Sequence, residues 1–180
     1  MKNPMDQLQL KSVISEKEIQ KKIKELGATL TDKFQKKQLV AVCILKGSFI
    51  FFSDLIRQIE CDMTCEFMGL SSYHNQAFSS GEVKLTLDLN STVEGKHVLL
   101  VEDIIDTGLT MNYLQQILVP RKPKSVTTVA LLHKPDAKKV DCKIDLVGFK
   151  IPNDFVVGYG LDYQNHYRHL PYIARVENLN

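Results

Sequence analysis

A chain of 180 residues is the size of one ordinary domain, so a second domain is not required. Its 44% hydrophobic and 24% charged residues are typical of a globular protein, and a net charge of +2 is too small for a general nucleic-acid binder, although a local basic pocket is compatible with it. No apolar run approaches the ~20 residues that cross a bilayer, and the N-terminus MKNPMDQLQL lacks the apolar stretch of a secretory signal. We therefore expect a soluble, cytoplasmic protein with no nucleic-acid or membrane partner.

The cysteines agree with that expectation. Cys43, Cys61, Cys65 and Cys142 form no C-x-x-C pair, and most of them lie in apolar surroundings. This favours reduced packing residues over disulfides or zinc ligands.

The first predicted element is an amphipathic helix. Ser15 and Glu18 have the spacing of a capping box, and apolar residues follow from Ile19 to Phe34 at intervals of three and four. The lysines between them are expected to face water.

A buried strand and a second helix are predicted next. The apolar run QLVAVCIL has the length of a strand and ends at Lys46-Gly47. Ser48 is expected to cap a helix that runs through Ile59. Another strand is predicted from Met63 to Met68.

The segment GLSSYHNQAFSSGE, residues 69–82, differs in character. It is rich in Ser and Gly, has little apolar periodicity and exceeds the usual length of a connection. It is either disordered or a functional flap. Lys84 to Leu89 then alternates apolar and polar residues, as a half-buried strand does.

The second half of the chain continues the alternation of strands and helices. A continuous apolar strand is predicted from His97 to Val101, a helix from Leu109 to Val119 ended by Pro120, and a buried strand from Ser125 to Leu132. The runs DLVGFKIP and FVVGYG supply two more strands. This alternation predicts an α/β fold with a mainly parallel sheet that is covered by helices on both faces.

The stretch VLLVEDIIDTGLT, Val98 to Thr110, carries the predicted chemistry. Open α/β sheets bind ligands beyond the carboxyl ends of their strands, where a turn that opens a helix presents backbone N–H groups to a phosphate. Glu102 and Asp103, just before this turn, suit vicinal sugar hydroxyls and a hydrated divalent cation. Neither G-x-x-x-x-G-K-[ST] nor a complete dinucleotide fingerprint is present. A phosphate beside hydroxyls indicates a ribose 5-phosphate.

This stretch resembles the phosphoribosyl-pyrophosphate signature of the type I phosphoribosyltransferases. Further segments resemble the 6-oxopurine branch of that family, and the resemblance runs from about Leu39 to Ile173. The segments are ILKGSFIFFSDLIRQI, SSYHNQAFSSGEV, LLHKPDAK and VGFKIPNDFVVGYGLDYQNHYRHLPYI.

The resemblance implies a fold and a reaction. The fold would be one phosphoribosyltransferase domain over residues 1–180, with a flexible flap and a small hood contributed by the N-terminal region and residues 150–180. The reaction would transfer the 5-phosphoribosyl group of phosphoribosyl pyrophosphate to N9 of hypoxanthine or guanine, giving IMP or GMP and pyrophosphate. The family uses Mg²⁺ and usually forms homodimers or homotetramers.

The resemblance also implies roles for single residues. Asp106 would accept the purine proton through N7, and Lys134 would donate to the 6-oxo oxygen. The other implied sites are a phosphoribosyl site at Glu102, Asp103, Asp106, Thr107, Gly108, Leu109 and Thr110; a pyrophosphate site at Lys46, Gly47 and Arg168, often with a non-proline cis peptide; a purine site at Lys134, Phe155, Val156 and Leu161; metal ligands at Glu102, Asp103 and Asp162; and flap residues Ser72 and Tyr73.

Simpler interpretations stay open for several of these residues. Asp106 could be a helix N-cap, Lys134 an exposed lysine and Phe155 a core residue. His166 and His169 are spaced like a metal pair, but no third ligand accompanies them, so exposed residues are favoured.

The alternative function is a protein of this fold that has become an RNA-binding regulator or is catalytically idle. Such a protein is expected to add a basic face and to lose residues of the base site. Lys134, Phe155 and Asp162 are retained and the net charge is only +2, which favours the enzyme. Specificity for adenine or a pyrimidine is disfavoured by Lys134 and by the segment VVGYGLDY.

Overall fold

The computed structural model describes residues 8–72 and 83–177. Most of the described chain belongs to one of two sheets or to the helices that pack on them. In chain order the elements are β1 (Leu10–Ile14), α1 (Glu16–Phe34), β2 (Leu39–Leu45), α2 (Phe49–Ile56), β3 (Met63–Ser72), β4 (Val83–Leu87), β5 (His97–Ile105), α3 (Leu109–Leu118), β6 (Ser125–His133), β7 (Leu146–Lys150), β8 (Val156–Val157) and β9 (Ile173–Val176).

The larger sheet has six strands in the order β4-β3-β2-β5-β6-β7. All neighbouring pairs are parallel except β3 and the edge strand β4. Helices α1 and α2 cover one face and α3 covers the other. The predicted mainly parallel sheet with helices on both faces is confirmed.

The central strands are apolar on both sides because both of their faces are buried. Val98, Leu99, Leu100 and Val101 in β5 are each fully buried, and Leu99 and Val101 pack towards α1 while Val98 and Leu100 pack towards α3. Because β2, β5 and β6 are parallel neighbours, their carboxyl ends lie side by side at one edge of the sheet.

Helix α1 follows the sequence prediction closely. Ser15 Oγ accepts from the N–H of Glu18 at 3.4 Å, and the N–H of Ser15 donates to Glu18 Oε2 at 2.8 Å, so the capping box is present. The apolar stripe from Ile19 to Phe34 is buried against the sheet.

A second sheet joins the two ends of the described chain. Its three strands have the order β1-β9-β8 and are antiparallel, with Leu10 paired to Val176 and Val157 paired to Ala174. Ile14 and Ile173 reach the core that also holds α1 and α2. Neither β1 nor β9 was predicted, and FVVGYG contributes β8 to this sheet and not to the larger one.

Several predicted boundaries are wrong. Ser48 precedes α2 without a side-chain cap, because its hydroxyl donates to the carbonyl of Ile44 at 2.6 Å, and the helix ends at Ile56 before Ile59 is reached. Strand β5 continues through both acids to Ile105, because it stays paired with β6 over that length. Helix α3 ends at Leu118.

Other boundaries differ by a few residues. A short 3-10 turn, Val119–Arg121, follows α3 and contains Pro120. The predicted strand at 84–89 is the edge strand β4, which ends at Leu87.

The flap prediction falls mostly outside the described residues. Strand β3 extends to Ser72, so residues 69–72 are strand, whereas Tyr73 and residues 74–82 are not described. Within the described chain, no helix has the length and apolar character to span a bilayer. All four cysteines are free thiols, as predicted, although Cys65 is exposed.

Candidate active site

One cleft collects most of the residues singled out from the sequence. Its volume is about 920 Å³, and it opens at the carboxyl ends of β2, β5 and β6. The predicted residues that line it are Lys46, Gly47, Asp103, Asp106, Lys134, Phe155, Val156, Leu161, Asp162 and Arg168. It is also lined by Leu70, Ser71, Ile104 and Asn165, which the sequence did not single out.

Glu102 lies apart from this large cleft. Successive residues of a strand point to opposite faces, so Asp103 faces the cleft while Glu102 points to the other side of β5. Glu102 lines a small neighbouring cavity of about 20 Å³ together with Asp106, Gly108 and Thr110. Asp106 and Ile104 line both spaces.

Glu102 is buried, and the adjacent Asp103 is partly buried. Glu102 Oε2 is buried and has no hydrogen-bond partner among the described residues. Burial, together with the charge of Asp103, raises the pKa of Glu102 well above its usual value. Burial also raises the pKa of Asp103 to about 6, opposed by the hydrogen bond that its Oδ1 accepts from the N–H of Ile104 at 2.8 Å.

The turn after β5 has the form that the sequence predicted, with a different cap. Gly108 is the N-cap of α3 and has a φ of 82°, a conformation that favours glycine. A Cβ on Gly108 would lie 2.6 Å from the carbonyl oxygen of Val140. The carboxylate of Asp106 accepts from the N–H of Thr107, so Asp106 belongs to the turn and is not the helix N-cap.

The segment after β6 is hydrogen-bonded to the turn at Thr107. The N–H groups of Lys139 and Val140 both donate to the carbonyl of Thr107, at 3.0 and 3.1 Å. The hydroxyl of Thr107 accepts from the N–H of Leu109 at 3.5 Å. The first-turn N–H groups of α3 have no partner within the helix, and Gly108, Thr110 and Met111 line the small cavity beside Glu102.

The loop after β2 packs directly on the acid pair. The peptide bond between Leu45 and Lys46 is cis. A Cβ on Gly47 would lie 1.5 Å from Asp103 Oδ2, and a Cβ on Gly160 would lie 2.0 Å from the carbonyl oxygen of Gly47. Gly160 therefore brings the chain after β8 against the same loop.

Asp162 and Arg168 form an ion pair on that later segment. The distance from Arg168 Nη2 to Asp162 Oδ1 is 2.6 Å, and Arg168 Nη1 donates to the carbonyl of Gly160 at 2.7 Å. Asp162 Oδ2 accepts from the N–H of Asn165 at 2.7 Å. Asp162 thus closes a turn, and no helix follows it.

The purine-binding prediction involves residues at the other end of the cleft. The N–H of Lys134 donates to the carbonyl of Ile105 at 2.9 Å, which holds the residue beside the end of β5. Burial lowers the pKa of Lys134, and the carboxylates of Asp106 and Asp154 oppose that shift. Phe155 is 44% exposed, so it is not the core residue of the simpler interpretation, and its ring meets that of Tyr163 edge to face.

The predicted metal ligands are Glu102, Asp103 and Asp162. Among residues 8–72 and 83–177, no three His, Cys, Asp or Glu side chains come together as a metal site. Glu102, Asp103 and Asp162 therefore do not form a site made of protein ligands alone. His166 and His169 are exposed, as expected.

Two adjacent acids, a phosphate-type turn and a lysine-aromatic pocket thus lie in one region of the molecule. Residues 10–164 match the family described as "Phosphoribosyl transferase domain". The chain belongs to the phosphoribosyltransferase family.

Within this family, the chain is similar to proteins named as hypoxanthine or hypoxanthine-guanine phosphoribosyltransferases. The chain is 53% identical over 164 residues to the hypoxanthine-guanine phosphoribosyltransferase of Bacillus subtilis, with 91% of each chain covered. A crystal structure of a hypoxanthine phosphoribosyltransferase from Staphylococcus aureus matches with a TM-score of 0.90 at 47% identity and covers 98% of this chain and 96% of that chain. A Bacillus anthracis hypoxanthine-guanine phosphoribosyltransferase with HEPES in its active site matches with a TM-score of 0.88 at 45% identity, covering 93% and 99%.

Proposed function

We propose that this chain is a purine-salvage enzyme that transfers the 5-phosphoribosyl group of phosphoribosyl pyrophosphate to N9 of hypoxanthine or guanine. The products are IMP or GMP and pyrophosphate. The observation that supports this best is the cleft itself, which brings Asp103, Asp106, Lys134 and Arg168 to one continuous surface. The transfer requires four groups: an acid for the sugar, a base, a hydrogen-bond donor to the purine and a cationic side chain that binds pyrophosphate.

The donor sugar is assigned to the end of β5. The first turn of α3 and the hydroxyls of Thr107 and Thr110 would bind the 5-phosphate, with Gly108 and Leu109 supplying backbone. Glu102 and Asp103 would hold the two ribose hydroxyls, which donate to carboxylates. Their negative charge would also offset the positive charge that builds on the ribose ring as the bond at C1 breaks.

The pyrophosphate is assigned to the opposite wall. Lys46, Gly47 and Arg168 would bind it, and the planar guanidinium of Arg168 suits phosphate oxygens. Arg168 is already oriented by Gly160 and Asp162.

A magnesium ion fits the acids of this site. Glu102 Oε2 is buried without a hydrogen-bond partner among the described residues, and hard divalent cations prefer carboxylate oxygens. Glu102, Asp103 and Asp162 would hold Mg²⁺ in company with substrate oxygens and water, since they do not come together as a protein-only site. When bound, Mg²⁺ would neutralise charge on the departing pyrophosphate.

The purine is assigned to the pocket between β6 and β8. Lys134 would donate to the 6-oxo oxygen and would reject adenine, whose 6-amino group is itself a donor. The exposed ring of Phe155 would stack on the base, which is worth roughly 1–3 kcal/mol. The backbone of Val156 and the side chain of Leu161 would contact the rest of the purine.

Asp106 is the proposed general base. It lines both the large cleft and the small cavity, so it lies between the purine pocket and the sugar site. In this role its carboxylate would accept the purine proton through N7 as the new bond forms at N9.

We also propose how the rest of the molecule serves this site. The antiparallel sheet of β1, β9 and β8 would act as the hood, because β8 carries Val156 directly into the purine pocket. Residues 1–180 would act as one domain in a homodimer or homotetramer in the cytoplasm. The flap role of Ser72 and Tyr73 stays a prediction.

The reaction is tested with purified protein, phosphoribosyl pyrophosphate, Mg²⁺ and each of hypoxanthine, guanine, xanthine and adenine. We expect pyrophosphate and the matching nucleotide to appear with hypoxanthine or guanine and not with adenine. Chelation of Mg²⁺ by EDTA is expected to stop product formation. Absence of purine-dependent pyrophosphate release, or RNA binding in its place, would contradict the proposal.

A further inference from the structure

A buried tyrosine outside the cleft joins the two walls of the site. Tyr159 is 3% exposed and lies between Gly158 and Gly160 in the chain that follows β8. Its φ of 50° is left-handed, which is unusual for a bulky side chain. Tyr159 does not line the cleft, so direct contact with substrate is not its function.

The phenol of Tyr159 donates to a carboxylate on α2. Its Oη bonds to Asp54 Oδ2, which also accepts from Gln20 Nε2 of α1 at 3.1 Å. Arg57 binds the other oxygen, Oδ1, so the carboxylate is held on both sides. Burial and the adjoining carboxylate raise the pKa of the phenol, which therefore stays a protonated donor at neutral pH.

Asp54 and Tyr159, the two partners in this hydrogen bond, are each connected to a segment that is proposed to bind substrate. On one side, α2 begins directly after Lys46-Gly47, and the N–H of Phe52 donates to the carbonyl of Ser48 at 2.7 Å. Asp54 lies on α2, and the N–H of Phe49 at the start of this helix donates to the carbonyl of Lys46 at 3.4 Å, so one short helix connects Asp54 to the proposed pyrophosphate loop.

On the other side, the backbone of Tyr159 is fixed to the segment that carries Arg168. The N–H of Tyr159 donates to Leu170 at 2.8 Å, and the N–H of Gly160 donates to the carbonyl of Arg168 at 2.9 Å. Gly160 packs on the carbonyl of Gly47 without room for a side chain. The Asp54–Tyr159 bond thus clamps the segment of Gly160 and Arg168 onto the loop of Gly47.

We infer that Tyr159, through Asp54, is a positioning residue that sets the spacing between the pyrophosphate loop and the wall formed by Leu161, Asp162 and Arg168. This inference rests on the proposed function. The clamp does not touch the turn at residues 107–110, so it should govern the binding of pyrophosphate and purine and leave the 5-phosphate site unaffected. A tyrosine that only satisfies a buried hydroxyl would affect stability and none of these affinities.

The test compares Tyr159→Phe with the unaltered enzyme. We expect the KM for hypoxanthine and the inhibition constant of inorganic pyrophosphate each to rise about tenfold, because without this bond the two walls lose the spacing that both ligands require. The inhibition constant of ribose 5-phosphate should stay within about twofold, a limit that tests whether the phosphate turn is untouched. Thermal unfolding is recorded in parallel.

Asp54→Ala provides a second way to break the same bond. It should reproduce the two changes, and the double variant should be no worse than Asp54→Ala alone, because Asp54→Ala already removes the bond that Tyr159→Phe removes. Arg121→Ala is the matched control, since it also breaks an ion pair, to Asp88, and Arg121 and Asp88 do not line the cleft. Its kinetic constants should equal those of the unaltered enzyme.

The possible results separate the two claims. An unaltered chain that makes no nucleotide overturns the proposed function and this inference with it. An active chain whose Tyr159→Phe variant has a lower Tm but unchanged constants overturns only the inference. Two other results would also overturn the inference. One is a double variant in which the fold-changes of the two single variants multiply, and the other is an inhibition constant of ribose 5-phosphate that rises as much as that of pyrophosphate.

Discussion

Gly47 and Asp103 are in such close contact that no side chain fits between them. A Cβ on Gly47 would lie 1.5 Å from Asp103 Oδ2 and 2.6 Å from its Cγ. Gly47 follows β2 and Asp103 lies near the end of β5, and these strands are neighbours in the sheet. The absence of a side chain at residue 47 thus lets the proposed pyrophosphate loop lie directly on the proposed sugar-binding acid.

Gly47→Ala is expected to lower kcat/KM by about 100-fold, because the added methyl group must displace either the loop or the Asp103 carboxylate from its position. Steady-state kinetics with both substrates measures this loss. Gly95→Ala is the matched control: Gly95 has a φ of 71° and no described atom within 4 Å of the added Cβ. It should cost about 1 kcal/mol of stability and leave the kinetics unchanged. Equal kinetic losses in both variants would contradict the argument.

Asp106→Asn tests the general base. The amide keeps the size of the carboxylate but cannot accept a proton, so kcat should fall about 10²–10⁴-fold while the affinity for IMP changes little. Turnover and IMP inhibition are measured on the same preparation. Asp136→Asn, in the exposed 3-10 turn after Lys134, should behave like the unaltered enzyme. Unchanged turnover in Asp106→Asn would remove the role assigned to this residue.

Lys134→Ala tests purine recognition. Loss of a charged donor to the 6-oxo oxygen should raise the KM for hypoxanthine by about 10–100-fold, while phosphoribosyl pyrophosphate still binds. The preference for hypoxanthine over adenine should also shrink. Calorimetric titration of each substrate separates these effects. Lys138→Ala controls for the loss of a lysine in the same loop, because Lys138 is exposed and pairs with Asp141. Equal purine affinity in both variants would refute the assignment.

The parts of the fold that were predictable have strong local patterns. The run Leu39–Leu45 is apolar throughout because β2 is buried on both faces, and the capping box fixes where α1 begins. Strands β1 and β9 were missed because they are short and, in β1, only Ile14 is buried. Their pairing joins residues near the two ends of the chain, which no local pattern reveals.

The same distinction applies to the site. The turn at Asp106 is a contiguous motif, so its chemistry could be inferred from neighbouring residues. The contacts Gly47–Asp103 and Tyr159–Asp54 depend on how distant segments pack, the latter across 105 positions. Ser48 shows the limit of a local rule, because its hydroxyl bonds to the preceding strand at Ile44 and does not cap α2.

The pH dependence of folding stability should show that the ionised form of Asp103 destabilises the folded protein. The pKa of Asp103 is about 6 in the folded protein, above its ordinary value of 3.8. The folded state therefore keeps a proton on Asp103 that the unfolded state releases, so stability falls as the pH rises from about 4 to about 6 and stays lowered above that. A neutral amide at this position does not incur the loss.

Asp103→Asn is therefore expected to be more stable than the unaltered protein at pH 8, by up to about 3 kcal/mol for a shift of this size, and equally stable near pH 4. Urea unfolding in EDTA buffers across this range measures the difference, and the same variant should lose activity. Asp88→Asn is the control with the opposite sign. Arg121 lowers the pKa of Asp88, so its amide should be less stable at pH 8 and lose that deficit at low pH. A stability difference for Asp103→Asn that does not grow between pH 4 and pH 6 would show that ionisation of Asp103 does not destabilise the folded state.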